Sequence, residues 1–184
     1  NVKNNLVSTN LFSVVDVINT STTTTTPNLA TLQQYDVVLI YSNNSLINAV
    51  AVGNALAQYI EAGGAVVDAY SDAASGYGAT GQYGANYRVL EPGSFTYGPT
   101  LTLGTVHLPS HPIMNGVTSY NGGYGSHRVI SNAITTGSYV VARYNNNDLF
   151  IVAKENVGPL HVKRATLNFS PVSSDALPSS WDKN

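Results

Sequence analysis

Serine, histidine and aspartate are the side chains with which this sequence could build a nucleophilic catalytic site, because it contains no cysteine. Ser71 follows an apolar run and lies between Asp68 and Asp72, where an acid could support a nucleophile. The candidate general bases are the four histidines, His107, His111, His127 and His161. Ser71 nevertheless lacks the flanking glycines of a Gly-x-Ser-x-Gly elbow. We therefore expect no enzyme, with a degenerate serine-type hydrolase as an alternative.

Neither a metal site nor a phosphate loop is predicted. Metal-binding spacings such as Glu-x-x-His and Asp-x-Asp-x-Asp do not occur in the sequence. Residues 76–81 spell Gly-x-Gly-x-x-Gly, but neither a lysine nor a helical pattern follows them. Without a helix N-terminus the motif has no means of holding a phosphate, so we expect a flexible loop. No cofactor is expected.

Tyrosines crowd the glycine-rich middle of the chain, and each combines a flat apolar face with a polar tip suited to sugars and protein interfaces. The set comprises Tyr70, Tyr77, Tyr83, Tyr87, Tyr97, Tyr120 and Tyr124. The ligand or interface candidates are Tyr70, Tyr77, Tyr83, Tyr87 and Tyr124, together with His111. The alternative is that the rings pack long loops onto a sheet. For His111, which precedes Pro112, a fixed turn with the imidazole bonded to backbone is the favoured interpretation.

The composition points to a neutral, polar surface. Charged residues make up 10% of the chain and the net charge is −2, while the sequence has 20 Asn, 18 Ser and 17 Thr. Without a basic cluster we expect no nucleic acid partner, and without a long apolar run we expect no membrane span. This composition is typical of extracellular or cell-surface proteins, and three sequons make Asn19, Asn43 and Asn168 glycosylation candidates.

Strand and helix patterns alternate in the first half of the chain. The predicted strands are 14–18, 36–41 and 65–69, and the predicted helices are 2–10, a short one beginning at Pro27 behind the cap Thr26, and 48–62. Such alternation favours right-handed crossovers and a parallel sheet.

The second half has a different character. Short strands are predicted at 87–90 and 100–106, and a β-meander at 139–144, 149–154 and 161–168. Because neither a linker nor an internal repeat separates the halves, the sequence predicts a single domain over residues 1–184.

Several segments resemble class I glutamine amidotransferase-like and ThuA-like domains. They are 11–17, 32–41, 59–67, 111–117 and 167–175. The resemblance implies an α/β, three-layer flavodoxin-like sheet, parallel in its N-terminal half with an antiparallel C-terminal part. It implies no catalysis, because the position of the amidotransferase nucleophile after 65–69 holds Tyr70, Ser71 and Asp72 in place of Cys.

The resemblance also implies two missing elements, because such domains open with a buried strand and close with a helix. The first strand and the last helix are expected to be absent from this sequence. A truncated fragment of a longer chain is the favoured explanation, and a strand supplied by another chain is the alternative.

The leading functional hypothesis is a non-catalytic extracellular structural or adhesive domain, forming a subunit of a larger homopolymeric surface assembly. Its expected partners are copies of itself or other surface proteins, and glycans. The alternative from a different class is a carbohydrate-binding module that uses the Tyr- and Asn-rich loops at the carboxyl ends of the strands.

Overall fold

A computed structural model describes residues 2–21, 26–42, 44–69, 73–123 and 127–171. Its centre is a mixed six-stranded sheet in the order β1-β2-β8-β7-β6-β4. These strands are β1 (Val37–Ile40), β2 (Ala65–Ala69), β4 (Leu103–Val106), β6 (Ser138–Tyr144), β7 (Leu149–Val157) and β8 (Val162–Leu167). A separate antiparallel pair joins β3 (Phe95–Thr96) to β5 (Arg128–Val129). The described chain is therefore mixed α/β, as predicted.

The parallel part of the sheet consists of β1, β2 and β8. Val66 lies opposite Val38 on one side and opposite Arg164 on the other. The last strand of the chain is thus inserted beside β2, and it is antiparallel to its other neighbour, β7. The predicted meander is present as β6, β7 and β8. Its first turn contains Asn147 at φ 72°, a left-handed conformation that Asn tolerates better than most residues.

Three helices pack on one face of the sheet around a core that includes Leu56, Ile60 and Val66. The four helices of the described chain are α1 (Val2–Ser8), α2 (Leu29–Leu32), α3 (Ala49–Glu61) and α4 (Gly81–Asn86), of which α1 lies outside this core. The side chain of Asn48 accepts a hydrogen bond from the backbone N–H of Ala51 and caps α3, which the sequence predicted within one residue at each end.

The opposite face is covered over its β6 and β7 half by the segment 107–120, which follows β4 and contains the 3-10 helix Pro112–Met114. Four aromatic rings fill the space between that segment and the sheet. Tyr120 lies 4.5 Å from Phe150 and 5.4 Å from Phe169, and Tyr144 lies 4.7 Å from Phe150, measured between ring centroids. This cluster anchors the long loop that precedes β5.

Several predicted elements differ from the structure. The 14–18 segment has no regular secondary structure and joins no sheet ladder, and 87–90 contributes only an isolated bridge between Leu90 and Ile134. Helix α2 begins at Leu29 with Asn28 as its cap, two residues later than predicted. A helix, α4, begins at Gly81, the last glycine of the Gly-x-Gly-x-x-Gly motif, where no helical pattern was found in the sequence. It has only six residues, and its periodicity is too brief for sequence patterns to detect.

Candidate functional site

The carboxyl end of β2 holds a buried ion pair where doubly wound folds often place a ligand. Asp68 is 1% exposed, and its Oδ2 accepts hydrogen bonds from Arg164 Nη2 at 2.6 Å and Thr166 Oγ1 at 3.0 Å. The hydroxyl of Tyr83, a fully buried residue, donates to Asp68 Oδ1. Both carboxylate oxygens are therefore engaged by the fold itself.

Arg164 is held as completely as its partner. Its Nε donates to Val66 O at 3.1 Å, its Nη1 donates to Tyr87 O at 2.5 Å, and its guanidinium carbon lies 4.7 Å from the centre of the Tyr83 ring. A buried charge is tolerated when it is paired and otherwise hydrogen-bonded, and all three guanidinium nitrogens of Arg164 donate hydrogen bonds here. This cluster links β2, β8 and α4. Its charged groups are already engaged by hydrogen bonds within the protein, so they are not available to a substrate.

Sequence patterns missed Arg164, although a signal was present. Asp68 lies in a predicted strand of the parallel sheet, and a carboxylate buried in such a strand requires a cationic partner. Arg164 and Thr166 are the polar residues that alternate along a later strand, which the prediction placed in a meander without assigning its neighbour. The strand order was the missing information.

Asn168, at the end of β8, is fully buried and uses its whole side-chain amide to hold the backbone. Its Nδ2 donates to Val129 O at 3.0 Å and to Leu149 O at 2.8 Å, while its Oδ1 accepts from the N–H of Val129 at 2.8 Å. A glycan on this nitrogen would remove one of these bonds and has no space. Asn19 is exposed, and Asn43 lies outside the described residues.

The tyrosines of the middle region mainly pack loops and helices. Tyr77 meets Phe95 edge to face at 5.6 Å, Tyr83 belongs to the ion-pair cluster, and Tyr97 stacks on His127 at 5.7 Å. The hydroxyl of Tyr87 donates to Glu61 Oε1 at 2.7 Å; burial, followed by this carboxylate, raises the pKa of Tyr87 to about 12. Tyr70 and Tyr124 lie outside the described residues, as do Ser71 and Asp72.

His111 caps the 3-10 helix, as the turn interpretation predicted. Its Nδ1 accepts from the N–H of Ile113 at 3.2 Å, and its Nε2 lies 3.1 Å from the hydroxyl of Tyr139. Loss of hydration, with the nearby Glu155 carboxylate, raises the pKa of Tyr139. Because Nδ1 accepts, the neutral ring carries its proton on Nε2 and donates to Tyr139. Both ring nitrogens thus have partners within the fold.

A shallow groove of about 160 Å³ lies beside His111, at the amino ends of β2 and β8. Ala65, Val67 and Ala165 form part of its floor on the face away from α3, and Lys163 and Glu155 pair at its rim at 3.4 Å. No group of three or more His, Asp or Glu side chains in the described part of the chain could hold a metal ion. Among the same residues, no helix is long and apolar enough to cross a membrane.

A second feature lies at the edge of the sheet formed by β1, which pairs only with β2 among the described residues. The 14–18 segment is linked to the residues before and after β1, and its backbone makes no hydrogen bond with another backbone group in the described chain. The side chains of Val14 and Val17 are each 61% exposed, and that of Ile18 is 41% exposed. Both this apolar segment and the outer edge of β1 thus have backbone groups without a backbone partner in the described chain.

Side chains and loops, rather than a ladder, hold the 14–18 segment beside β1. The hydroxyl of Tyr35, just before β1, donates to Asp16 Oδ2 at 2.8 Å, and Lys3 Nζ lies 3.9 Å from Asp16 Oδ1. Beyond the end of β1, the N–H of Ile47 donates to Thr20 O at 3.1 Å. We call the place between the 14–18 segment and β1 the open strand position.

No protein-family model matches this sequence, and no curated protein matches it. The fold is similar to three solved structures. They are the Salmonella typhimurium cytoplasmic protein STM3548 (TM-score 0.55, 17% identity), cytoplasmic protein STM1381 of strain LT2 (0.57, 15%) and a ThuA-like protein from Bacteroides uniformis (0.50, 16%). The chain has a ThuA-like fold. The alignments cover 80%, 84% and 78% of this chain and 65%, 69% and 63% of those chains.

The comparison contradicts the predicted extracellular location. It also contradicts three predictions that depended on that location: the structural or adhesive surface role, the glycoprotein assignment and the carbohydrate-binding module. Two of the similar proteins are named as cytoplasmic, and none is named as a surface protein. The composition misled because Asn has structural uses here. Asn28 and Asn48 cap helices, Asn147 and Asn156 adopt positive φ, and Asn168 clamps buried backbone. Asn is therefore abundant for reasons of local geometry.

Proposed function

We propose that this chain is a non-catalytic, amidotransferase-like domain of the ThuA-like fold that binds other polypeptides by accepting an extended strand at the open strand position. The observation that carries the proposal is the unpaired backbone of the 14–18 segment beside the unpaired edge of β1. Exposed strand edges are templates for pairing, and addition of a peptide strand to an edge is a common mode of recognition.

Three features support the non-catalytic part of this proposal. The chain has no cysteine, so the amidotransferase nucleophile is missing. Asp68, the acid nearest in sequence to the nucleophile position among the described residues, is fully engaged by Arg164, Tyr83 and Thr166. His111 caps a 3-10 helix on the opposite face and at the opposite end of the parallel strands. Acid and base are therefore far from a common substrate.

Backbone hydrogen exchange tests the binding part. The purified chain is compared with and without a mixture of synthetic random heptapeptides. We expect slower exchange at the amides of both 14–18 and Val37–Ile40, because an inserted strand bonds to both sides at once. If neither segment is protected by the mixture, the open strand position is not a binding site.

Two variants test whether the protection of the amides arises from binding at the open strand position. Val17→Asp puts a charge at the open strand position, and Leu160→Asp puts the same charge at the turn before β8. Both side chains are 61% exposed in the unliganded chain, so the two substitutions are matched. Val17→Asp is expected to abolish the protection and Leu160→Asp to preserve it. Equal loss in both variants would assign the effect to charge alone.

A serine-reactive fluorophosphonate tests the remaining catalytic alternative. We expect no labelling of Ser71 under conditions in which a control serine hydrolase reacts fully. Stoichiometric labelling of Ser71 that is lost in Ser71→Ala would overturn the non-catalytic proposal.

A further inference from the structure

Two Asn-Gly pairs occur in the sequence, Asn115-Gly116 and Asn121-Gly122. Asparagine is chemically labile, and most so before glycine, where no side chain shields the backbone nitrogen that attacks the asparagine amide. We infer that Asn115 is a site of spontaneous deamidation in the folded protein, whereas Asn121 is protected by the fold. We also infer that the product at position 115 loosens the segment 107–120 over the sheet. Neither inference depends on strand binding.

The groups that would react at the first pair are free. Asn115 and Gly116 are both exposed. Within the described chain, neither the side-chain amide of Asn115 nor the N–H of Gly116 makes a hydrogen bond. The backbone at Asn115, with ψ 118°, must rotate to bring the Gly116 nitrogen onto Cγ. The turn bond from the N–H of Val117 to Met114 O, at 3.0 Å, opposes that rotation, and such a bond at the surface opens readily.

The same groups at the second pair are held by hydrogen bonds. The N–H of Gly122 donates to Leu101 O at 2.8 Å, and Asn121 Oδ1 accepts from the N–H of Gly123 at 2.9 Å. Asn121 also forms an isolated β-bridge with Thr102. The attacking nitrogen is thus bonded to a carbonyl, and the side-chain amide is turned toward the next residue but one. Both bonds must open before the reaction, which lowers the population of the reactive arrangement.

The reaction needs water as its co-reactant. The Gly116 nitrogen gives its proton to a solvent base and attacks Cγ of Asn115. A bond from this nitrogen to Cγ forms, the bond from Cγ to the side-chain nitrogen breaks, and the side-chain nitrogen takes a proton from solvent and leaves as ammonia. Water then opens the cyclic imide, adding its oxygen to one carbonyl carbon and returning a proton to the Gly116 nitrogen. Addition at Cγ gives aspartate, and addition at the main-chain carbonyl gives isoaspartate.

Isoaspartate changes the main chain where the segment 107–120 is anchored. The N–H of Asn115 donates to Pro112 O at 3.1 Å and closes the 3-10 helix. Met114 is 5% exposed and belongs to the core cluster beneath the segment, against which Val117 also packs. Isoaspartate directs the chain through the side-chain carbons and so inserts a carbon between residues 115 and 116. Because the spacing from Met114 to Val117 then changes, we expect one of these anchors to leave the core.

Ageing of the purified chain at mildly alkaline pH tests the site, with peptide mass spectrometry following the conversion of both pairs in one sample. In the folded chain we expect Asn115 to convert at least about tenfold faster than Asn121, because two hydrogen bonds must open at Asn121. In guanidinium chloride above the unfolding transition the two rates should become similar. Equal rates in the folded chain, or faster conversion of Asn121, would overturn the inference.

The structural consequence is tested on the deamidated fraction, isolated by anion exchange. Its urea midpoint should be lower than that of fresh protein, while aged Asn115→Gln, which keeps an amide but closes a ring far more slowly, should match its fresh sample. Fresh Asn115→Asp adds the charge without the extra main-chain carbon and should keep the wild-type midpoint. An unchanged midpoint of the deamidated fraction would overturn the loosening of the segment, and an equal loss in fresh Asn115→Asp would overturn its attribution to the inserted carbon.

Discussion

Arg164 Nη2 lies 2.6 Å from Asp68 Oδ2, and the two side chains are 0% and 1% exposed. The pair joins neighbouring strands whose residues are 96 positions apart in the sequence. Its remaining hydrogen bonds reach α4 through Tyr83 and the backbone of Tyr87. The parallel half of the sheet is thus fastened to its helical layer by a polar cluster in the core.

Removing one member of this pair is expected to destabilise the chain strongly. Asp68→Asn leaves the Arg164 guanidinium buried without a counter-charge, and removal of one partner of a buried pair costs about 3–5 kcal/mol. The free energy of unfolding is measured by urea denaturation. The control is Lys163→Gln, which breaks the exposed pair between Lys163 and Glu155 (3.4 Å). Loss of this pair should lower the free energy of unfolding by at most about 1 kcal/mol. A similar small loss in both variants would contradict the structural role of the cluster.

The amide of Asn168 gives a second prediction. In Asn168→Asp a carboxylate oxygen replaces the nitrogen that donates to Val129 O and Leu149 O. Oxygen would then face oxygen at a fully buried position, and unmaking one such bond costs about 1–3 kcal/mol. The matched control is Asn132→Asp at an exposed position, which should leave the urea midpoint nearly unchanged. Equal midpoints for the two variants would be inconsistent with the clamp.

Local patterns in the sequence predicted elements better than the contacts between them. The helix over Ala49–Glu61 follows from a capped apolar stripe, and the strand over Ala65–Ala69 follows from a valine-containing run preceded by two glycines. The insertion of β8 between β2 and β7 joins residues far apart in sequence, and no local periodicity encodes that choice. The 14–18 segment has the side chains of a strand, but pairing depends on a neighbour.

The same limit applies to the candidate site residues. Tyr83 was predicted as a ligand contact because it lies in a glycine-rich region, but α4 turns its ring into the core. His111 was predicted correctly as a turn residue, since the following Pro112 restricts its backbone. To separate ligand-binding tyrosines from core tyrosines, one must know which side chains are buried, and the composition does not give this.

The phenol of Tyr87 gives a prediction about pH. Its pKa is raised from 10.0 to about 12, first by burial and then by the hydrogen bond to Glu61. Because the folded pKa exceeds the unfolded one, the stabilisation is complete below pH 10.0 and is lost as the pH rises through about 12. Tyr87→Phe should therefore lose less stability than the wild type across that window.

Ultraviolet titration measures the ionisation of Tyr87 directly. The absorbance change of the wild type minus that of Tyr87→Phe isolates one phenol among 12 tyrosines. In Glu61→Gln the midpoint of this difference should move down while staying above 10.0, since burial is the larger cause. An unchanged midpoint would show that the carboxylate has no influence on the phenol.

The approach of α4 to α3 depends on the absence of a side chain at Gly53. A Cβ there would lie 1.8 Å from the carbonyl oxygen of Thr80, a backbone atom that cannot rotate away. Gly53→Ala gains about 1 kcal/mol in helix propensity but forces a shift of the backbone before α4, and overpacking of this kind costs about 1–3 kcal/mol. Because backbone must move, we expect a net loss of stability, measured by thermal and urea unfolding.

Gly84→Ala is the matched control for this prediction. It lies in α4, and its Cβ would be 3.4 Å from Ala79 O, an ordinary contact. The same substitution should there be neutral or stabilising by up to about 1 kcal/mol, because the helix gains propensity without a clash. Stabilisation of both variants would mean that α4 can move away from α3 at little cost, and the close packing of the two helices would then not be needed for the fold.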